Sequence, residues 1–374
     1  MSLDALIVAA RRTPIGTAGR SLGTVSAADL GAVVLRAVTD DVGADPAHVV
    51  LGNCMGPGGN VARVAALTAG LPETTPALTV DRQCASGLAA IELGARLVAG
   101  GAGAVLAGGV ESASTAPWRY WPPTGGGAPV RYERAPFAPA SDDIDMGLAA
   151  DLLAEERGVT RERQDAYAAE SHARAVAAAA RGEFADEVVP VGGVRSDERP
   201  RASLTAERLA RFPAQFRPGG GVTTGNSCGI NDGAAAVALM PASGREAAGR
   251  PGLRVLSAIS TGVPANRPGI GLVPAARLAL DEAGVGVDDL DVIEVNEAFA
   301  GQVLACYDEL GIDPHRVCTG GGALALGHPW GASGAVLVVR LFTQLVRQGR
   351  GRYGLAAIAA GGGQGTAMVV EACR

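Results

Sequence analysis

Lysine is absent from this chain: all 32 basic side chains among its 374 residues are arginine. That excludes Schiff-base chemistry on a lysine and any pyridoxal enzyme that needs a lysine anchor. Aromatic residues are scarce, at 4% against 54 glycines, so the interior is expected to pack small side chains. No basic run interrupts a net charge of −6, which argues against a nucleic-acid partner but leaves room for local arginine sites on phosphates. The six cysteines (Cys54, Cys84, Cys228, Cys306, Cys318 and Cys373) form no Cys-x-x-Cys pair and no short disulfide framework, and no metal site is expected. Reduced thiols in a cytoplasmic enzyme are the simplest reading. The N-terminus, MSLDALIVAARRTP, meets acid and arginine too soon for a signal peptide. The uncharged stretch 317–339 is broken by glycines, His328 and Pro329, a poor membrane span, so a soluble protein is expected.

What is present is a globular composition, 48% hydrophobic and 19% charged, with length for two or three domains or one duplicated core. Strand-like and helix-like stretches alternate: ALIVAARRTPIG, then a helix opened by Ser26, then VVLGNCMG, a helix over 60–71, ALTV, a helix from Ala85, and AVLAGGVES. Such alternation predicts parallel pairing covered on both faces. Residues 114–221, rich in proline, arginine and acids, read as an insertion whose loops cover a ligand. The predicted division is 1–113 and 222–250 for a first core half, 114–221 for the insertion, and 251–374 for a second half.

The second half repeats the first. Ala85-Ser86-Gly87 and Ala332-Ser333-Gly334 each open a helix, and Ala107-Gly108-Gly109 and Ala360-Gly361-Gly362 are expected to close the strands that follow. His328 then falls at the place that Cys84 holds in the first half.

Cys84 sits at a predicted strand-to-helix junction, where free N–H groups lower a thiol's pKa and prepare a nucleophile for an acyl group. A buried, inert cysteine is the commoner fate of the residue type, but the small residues beside it favour function. His328, in GGALALGHPWGASG, is placed to activate that thiol if the two junctions meet. Asn296 and Glu297 end a buried strand; they cap the helix that follows, or Asn296 orients a water or a histidine at an oxyanion site. The glycine run AAGGGQG allows a backbone N–H to face a bound carbonyl; it is neither a Walker loop nor a dinucleotide fingerprint.

DRQCASG, NEAFA, GGALALGHPWGASG and GGGQG, in that order over essentially the whole chain, resemble the motifs of the thiolase family of acyl-CoA C-acyltransferases. ALIVAARRTPIG, MGLAADLLAEE, FADEVVPV and GNSCGINDGAAA support the match. The resemblance implies an α/β fold of five layers, α/β/α/β/α, built from two duplicated halves, with an inserted loop domain that holds coenzyme A, in a homodimer or homotetramer. It implies no bound cofactor, coenzyme A thioesters being the substrate. Cys84 matches the cysteine that becomes acylated and His328 the histidine that activates it. Asn296 matches the residue fixing a water that forms one oxyanion hole with His328, and the N–H groups of Cys84 and Gly361 match the other. Met146, Cys228 and Trp330 fall among substrate and coenzyme A contacts.

Three departures stand out. The family's second, acid/base cysteine falls at Ala359, which has no proton to exchange. Cys228 replaces a serine that faces the pantetheine arm; it substitutes in part for the missing group, or is a near-isosteric change. Trp330 stands where a smaller aliphatic residue is usual, and reshapes the acyl pocket or packs on the loop. Three functions follow: Claisen condensation or thiolysis with an altered acid/base group, transfer of the Cys84 acyl group to an amine, alcohol or thiol, or acyl-CoA binding without catalysis.

Overall fold

The computed structural model describes residues 3–132, 134–245 and 247–373. In chain order the first half runs β1 (Leu6–Arg12), β2 (Gly16–Thr17), α1 (Ala27–Val42), β3 (His48–Gly52), α2 (Val61–Thr68), β4 (Ala77–Val80), α3 (Ser86–Ala99) and β5 (Val105–Ser112). An insertion follows with β6 (Arg119–Trp121), β7 (Val130–Tyr132), α4 (Met146–Glu156), α5 (Arg161–Ala180) and α6 (Ala206–Leu209), and then β8 (Asn231–Met240) rejoins the sheet. The second half runs β9 (Gly252–Gly262), α7 (Leu272–Ala283), β10 (Val292–Val295), α8 (Ala300–Leu310), α9 (Ala323–Leu326), α10 (Trp330–Phe342), β11 (Tyr353–Ala360) and β12 (Gln364–Cys373).

Local chemistry sets many of these boundaries. Ser26 Oγ accepts from the Asp29 N–H at 3.1 Å to open α1, and Gly43 closes it in a left-handed conformation. Asp145 caps α4 and Thr160 caps α5 in the same manner. The N-cap residues of α3 and α10, Ala85 and Pro329, make no side-chain cap; the Ser86 N–H donates to the Gln83 carbonyl and the Gly331 N–H to Glu111 instead.

The duplication is visible strand by strand. The first half pairs in the order β4-β3-β5-β8-β1, and the second in the order β10-β11-β12-β9, with Val317 bridging to Ile293 where a fifth strand would lie. The halves join edge to edge through two residue pairs, Leu6 with Arg254 and Ile7 with Leu253. Three apolar clusters fill the spaces between layers. One packs α1 and α2 on the first sheet, one packs α7 and α8 on the second, and the third encloses α3 and α10 between both. The result is the five-layered α/β/α/β/α arrangement, with the two central helices sandwiched between the sheets.

Two expectations need correction. Pairing is not parallel throughout: β3 with β4, β3 with β5, and β10 with β11 are parallel, whereas β8 and β12 run antiparallel to both of their main neighbours. The cause is local in the second half, where the Gly361–Gly363 turn sends β12 straight back along β11. Nor do the Ala-Gly-Gly triplets correspond. Ala107-Gly108-Gly109 lies inside β5, where a Cβ on Gly109 would come 1.9 Å from the Gly331 carbonyl, while Ala360-Gly361-Gly362 ends β11. The first triplet admits α10; the second makes a turn.

The insertion is tied down by buried charge. Glu187 accepts from Arg12 Nε at 2.8 Å and from Arg340 at 2.7 Å, which joins the inserted segment to β1 and to the central helix α10. All three side chains are buried.

Candidate active site

The central helices meet at their N-termini. A Cβ on Gly87 of α3 would lie 2.8 Å from the Gly331 carbonyl, and one on Gly334 of α10 would lie 2.5 Å from the Leu88 N–H. Only bare backbone permits so close an approach. Cys84 and His328 each precede their contacting glycine, Gly87 or Gly331, by three residues, so the approach converges the two loops that carry them. Matched through Ala-Ser-Gly, however, the counterpart of Cys84 is Gly331 and not His328, so the two functional candidates are near-symmetric rather than equivalent.

Cys84 follows Gln83, which holds a left-handed backbone at φ 49°, a strained turn that aims the next residue out of the strand direction. Ser86 Oγ locks this turn, accepting from the Arg82 N–H at 2.7 Å and donating to the Gln83 carbonyl at 2.6 Å. The Cys84 side chain remains partly accessible. Burial among its neighbours, with Cys228 the next contributor, pushes its thiol up to about 12. The expected lowering by the helix N-terminus is therefore outweighed: the residue's own N–H favours the thiolate, but desolvation wins.

His328 is 2% exposed. Its backbone N–H donates to Asn231 Oδ1 at 2.9 Å, and its Nδ1 lies 2.6 Å from Ser333 Oγ. Nε2 has no partner among the described residues, and burial lowers the imidazole to about 3, so the ring is neutral. If Nδ1–H donates to Ser333, Nε2 is left as a free acceptor.

Asn296 extends β10 and is buried, its N–H donating to the Ala357 carbonyl at 3.0 Å. With Gly327, Leu326 and Ser333 it lines a cavity of about 20 Å³, enough for one water. Asn296 and the His328 loop are thus neighbours. Glu297 takes a structural place instead: it accepts from Tyr167 at 2.7 Å and Ser171 at 2.8 Å and receives the Leu324 N–H of α9.

Cys228 is fixed between these groups. Its N–H donates to the Ala298 carbonyl at 2.9 Å, just after Asn296 and Glu297, and Ile230 bridges to His328. Phe299 and Phe216 pack edge to face with ring centroids 6.2 Å apart, and Phe216 covers Gly147 beside Met146 at the start of α4. Met146 and Cys228 are thus chain neighbours of Gly147 and Ser227, the residues that meet this aromatic pair. Trp330 is the half-buried first residue of α10. Gly361 lies under Phe137 of the insertion, and Ala359, partly exposed near the end of β11, pairs with Gly365.

Four contributors escaped the sequence reading. Ser333 and Asn231 orient His328, and both lay in motifs already noted, GASG and GIND. Glu111, at the end of β5, gathers the N–H groups of Cys54, Met55 and Gly331 and the amide of Asn53; burial raises its carboxyl to about 7. Arg199 reaches the Cys228–Gly229 backbone from the insertion, and nothing in an arginine-rich loop marked it. Among the described residues no group of His, Cys, Asp or Glu is placed to hold a metal ion, and no helix is long and apolar enough to cross a membrane.

The duplicated five-layer fold brings a cysteine and a neutral histidine to the loops where two helix ends meet, an arrangement suited to acyl transfer. Comparison with known proteins gives the family. Residues 5–243 match the thiolase N-terminal domain and residues 250–372 the thiolase C-terminal domain. The chain is 43% identical to an acetyl-CoA acetyltransferase of Pseudomonas aeruginosa, covering 98% of this chain and 99% of that protein. It is also 43% identical to a beta-ketoadipyl-CoA thiolase of the same organism, covering 99% and 100%. Human mitochondrial 3-ketoacyl-CoA thiolase in complex with CoA superposes over the full length of both chains with a TM-score of 0.94 at 34% identity. The chain belongs to the thiolase family.

Proposed function

We propose that the protein forms and consumes a thioester on Cys84, taking its acyl group from an acyl-CoA or a 3-ketoacyl-CoA. The observation that carries this is the contact of α3 and α10 through Gly87 and Gly334, which converges the Cys84 and His328 loops. The Cys84 sulfur attacks the thioester carbonyl, and His328 Nε2 takes its proton. The bond from carbonyl carbon to coenzyme A sulfur then breaks, and the proton passes to the leaving thiolate. With the thiol near 12 and the imidazole near 3, a preformed ion pair is disfavoured, so the proton leaves as the new bond forms. The oxyanion faces the N–H groups of Cys84 and Gly361 in one half-reaction, and an Asn296-held water beside His328 in the other.

The proposed binding surface draws on Met146, Cys228 and Trp330, with the insertion, residues 114–221, covering coenzyme A. Relatives that carry acetyl-CoA acetyltransferase and thiolase names support Claisen condensation and thiolysis as the reaction pair. The reading places the enzyme in the cytoplasm, where six unpaired thiols stay reduced, as a dimer or tetramer.

The test is conversion of acetoacetyl-CoA and free coenzyme A to acetyl-CoA, quantified by chromatography. Cys84→Ala is expected to lower it by more than a thousandfold; unchanged conversion overturns the proposal. Ala359, at the place proposed for the family's second cysteine, favours a second reading in which the acyl group passes to an amine, alcohol or thiol. Undiminished transfer to such acceptors, with no gain in thiolysis from Ala359→Cys, would support it.

A further inference from the structure

We propose that Cys228 is a second catalytic thiol, the acid/base group that removes and returns the carbon-bound proton after Cys84 is acylated. This rests on the acyl-enzyme reading above.

The placement of the thiols separates Cys228 from the rest. Cys54 donates its S–H to the Gln83 carbonyl at 3.0 Å, Cys306 to Gly269 at 3.3 Å, Cys318 to Val295 at 3.2 Å and Cys373 to Glu371 at 3.9 Å. Among the described residues Cys84 and Cys228 are the two whose thiols have no acceptor in another residue, and both stay partly accessible. Both thiols sit in loops that meet the His328 loop: Cys228 lies two residues before Ile230, which bridges to His328, and Cys84 three before Gly87, which abuts Gly331. A thiol free of structural bonds beside the nucleophile is available to substrate.

Arg199 supplies the second observation. It makes no ion pair among the described residues, its Nε has no acceptor, and its remaining contact is a long hydrogen bond to the Leu324 carbonyl at 3.4 Å. A Cβ on Gly229 would lie 2.3 Å from its guanidinium, which places an uncompensated positive charge against the residue that follows Cys228. A half-buried guanidinium with no ion-pair partner favours an anion forming beside it. Cys228 is the group that can supply it: burial pushes its thiol up to about 12 and Arg199 is the charge that opposes burial, so the thiolate is a minor form that Arg199 favours. His328 Nε2, likewise unpartnered and buried, belongs to the same cluster through the Ile230 bridge.

In the condensation direction the Cys228 thiolate takes a proton from the α-carbon of a second acyl-CoA. The resulting enolate carbon bonds to the carbonyl carbon on Cys84, and the carbon–sulfur bond to Cys84 breaks. The Cys84 thiolate then takes the proton held by Cys228, which restores both groups. Thiolysis runs the same steps in reverse. General acid/base help of this kind contributes about 10²- to 10⁴-fold.

The experiment compares Cys228→Ala, Cys228→Ser and the double variant Cys228→Ala/Ala359→Cys in two assays. One is acyl adduct on Cys84 by intact mass after mixing with acetyl-CoA; the other is acetoacetyl-CoA turnover. The single variants are expected to form the adduct but lose turnover by about a hundredfold or more. The double variant is expected to regain at least tenfold, because it returns a thiol to the site from β11. In addition, Arg199→Gln is expected to move the rising limb of the turnover pH profile to higher pH. Turnover within threefold of the unaltered protein in Cys228→Ala overturns the proposal. Loss of adduct together with turnover in both single variants also overturns it, since that marks a structural role. Absence of adduct in the unaltered protein refutes the acyl-enzyme reading itself, a separate result.

Discussion

His328 Nδ1 and Ser333 Oγ lie 2.6 Å apart, and this contact fixes what the other ring nitrogen can do. With Nδ1–H given to Ser333, Nε2 accepts the Cys84 proton; without that anchor the ring is free to rotate or change tautomer. Ser333→Ala is expected to slow acyl-Cys84 formation by about fivefold, in line with the ~1 kcal/mol net worth of one hydrogen bond. Stopped-flow or quenched-flow mass spectrometry measures it. An unchanged acylation rate would remove Ser333 from the account.

The bare contact between α3 and α10 tests convergence directly. A methyl group on Gly334 would come 2.5 Å from the Leu88 N–H and 2.6 Å from its Cβ, so the helices must part. Gly334→Ala is expected to cost about 1–3 kcal/mol of stability in denaturant unfolding, the usual range for overpacking. Acylation should fall by more than stability explains, measured under conditions where the variant is fully folded.

Glu187 holds the insertion to the core. Glu187→Gln would leave Arg12 and Arg340 facing a neutral amide in the interior, with an expected loss of about 3–5 kcal/mol. Burial raises the Glu187 carboxyl, but Arg340 and Arg12 outweigh it and hold it below the usual carboxylate range. A depressed carboxyl contributes stability that is present above its unfolded pKa and lost as pH falls through the folded value. The gap between the unaltered protein and Glu187→Gln should therefore be widest near neutrality and shrink in acid. Chemical denaturation from pH 7 down to about pH 2, through and below the ordinary glutamate value of about 4.3, checks the sign.

Cys84 reactivity toward iodoacetamide carries the burial effect. With the thiol pushed up to about 12, the alkylation rate should rise roughly tenfold per pH unit through pH 10 with no plateau. A plateau near pH 8 would show an ordinary thiol, and one below pH 7 the thiolate that the helix end alone predicts.

Much of this was legible in the chain itself. Ser26 and the Ala-Ser-Gly pair announced helix starts because capping and small-residue packing act over three or four residues. The candidates Cys84 and His328 stood out for a similar reason, each lying shortly before an Ala-Ser-Gly run at a helix start. What escaped depends on contacts distant in sequence. The antiparallel entry of β8 follows an insertion of about a hundred residues and has no local signal. Gly109 looked like a turn glycine, yet it sits in mid-strand because Gly331, more than two hundred residues away, presses against it. Arg199 could be singled out only once folding placed it beside Cys228. The Cys84 pKa was misjudged because a helix end is read from sequence, whereas desolvation comes from the whole surrounding fold.

The most direct measurement is intact-mass spectrometry of the protein mixed with a panel of acyl-CoAs, followed by peptide mapping, with Cys84→Ala alongside. A mass increase of one acyl group, mapped to Cys84 and absent from the variant, is the expected result. No adduct from any acyl-CoA or 3-ketoacyl-CoA, or an adduct that persists in Cys84→Ala, would contradict Cys84 as the acyl-bearing nucleophile.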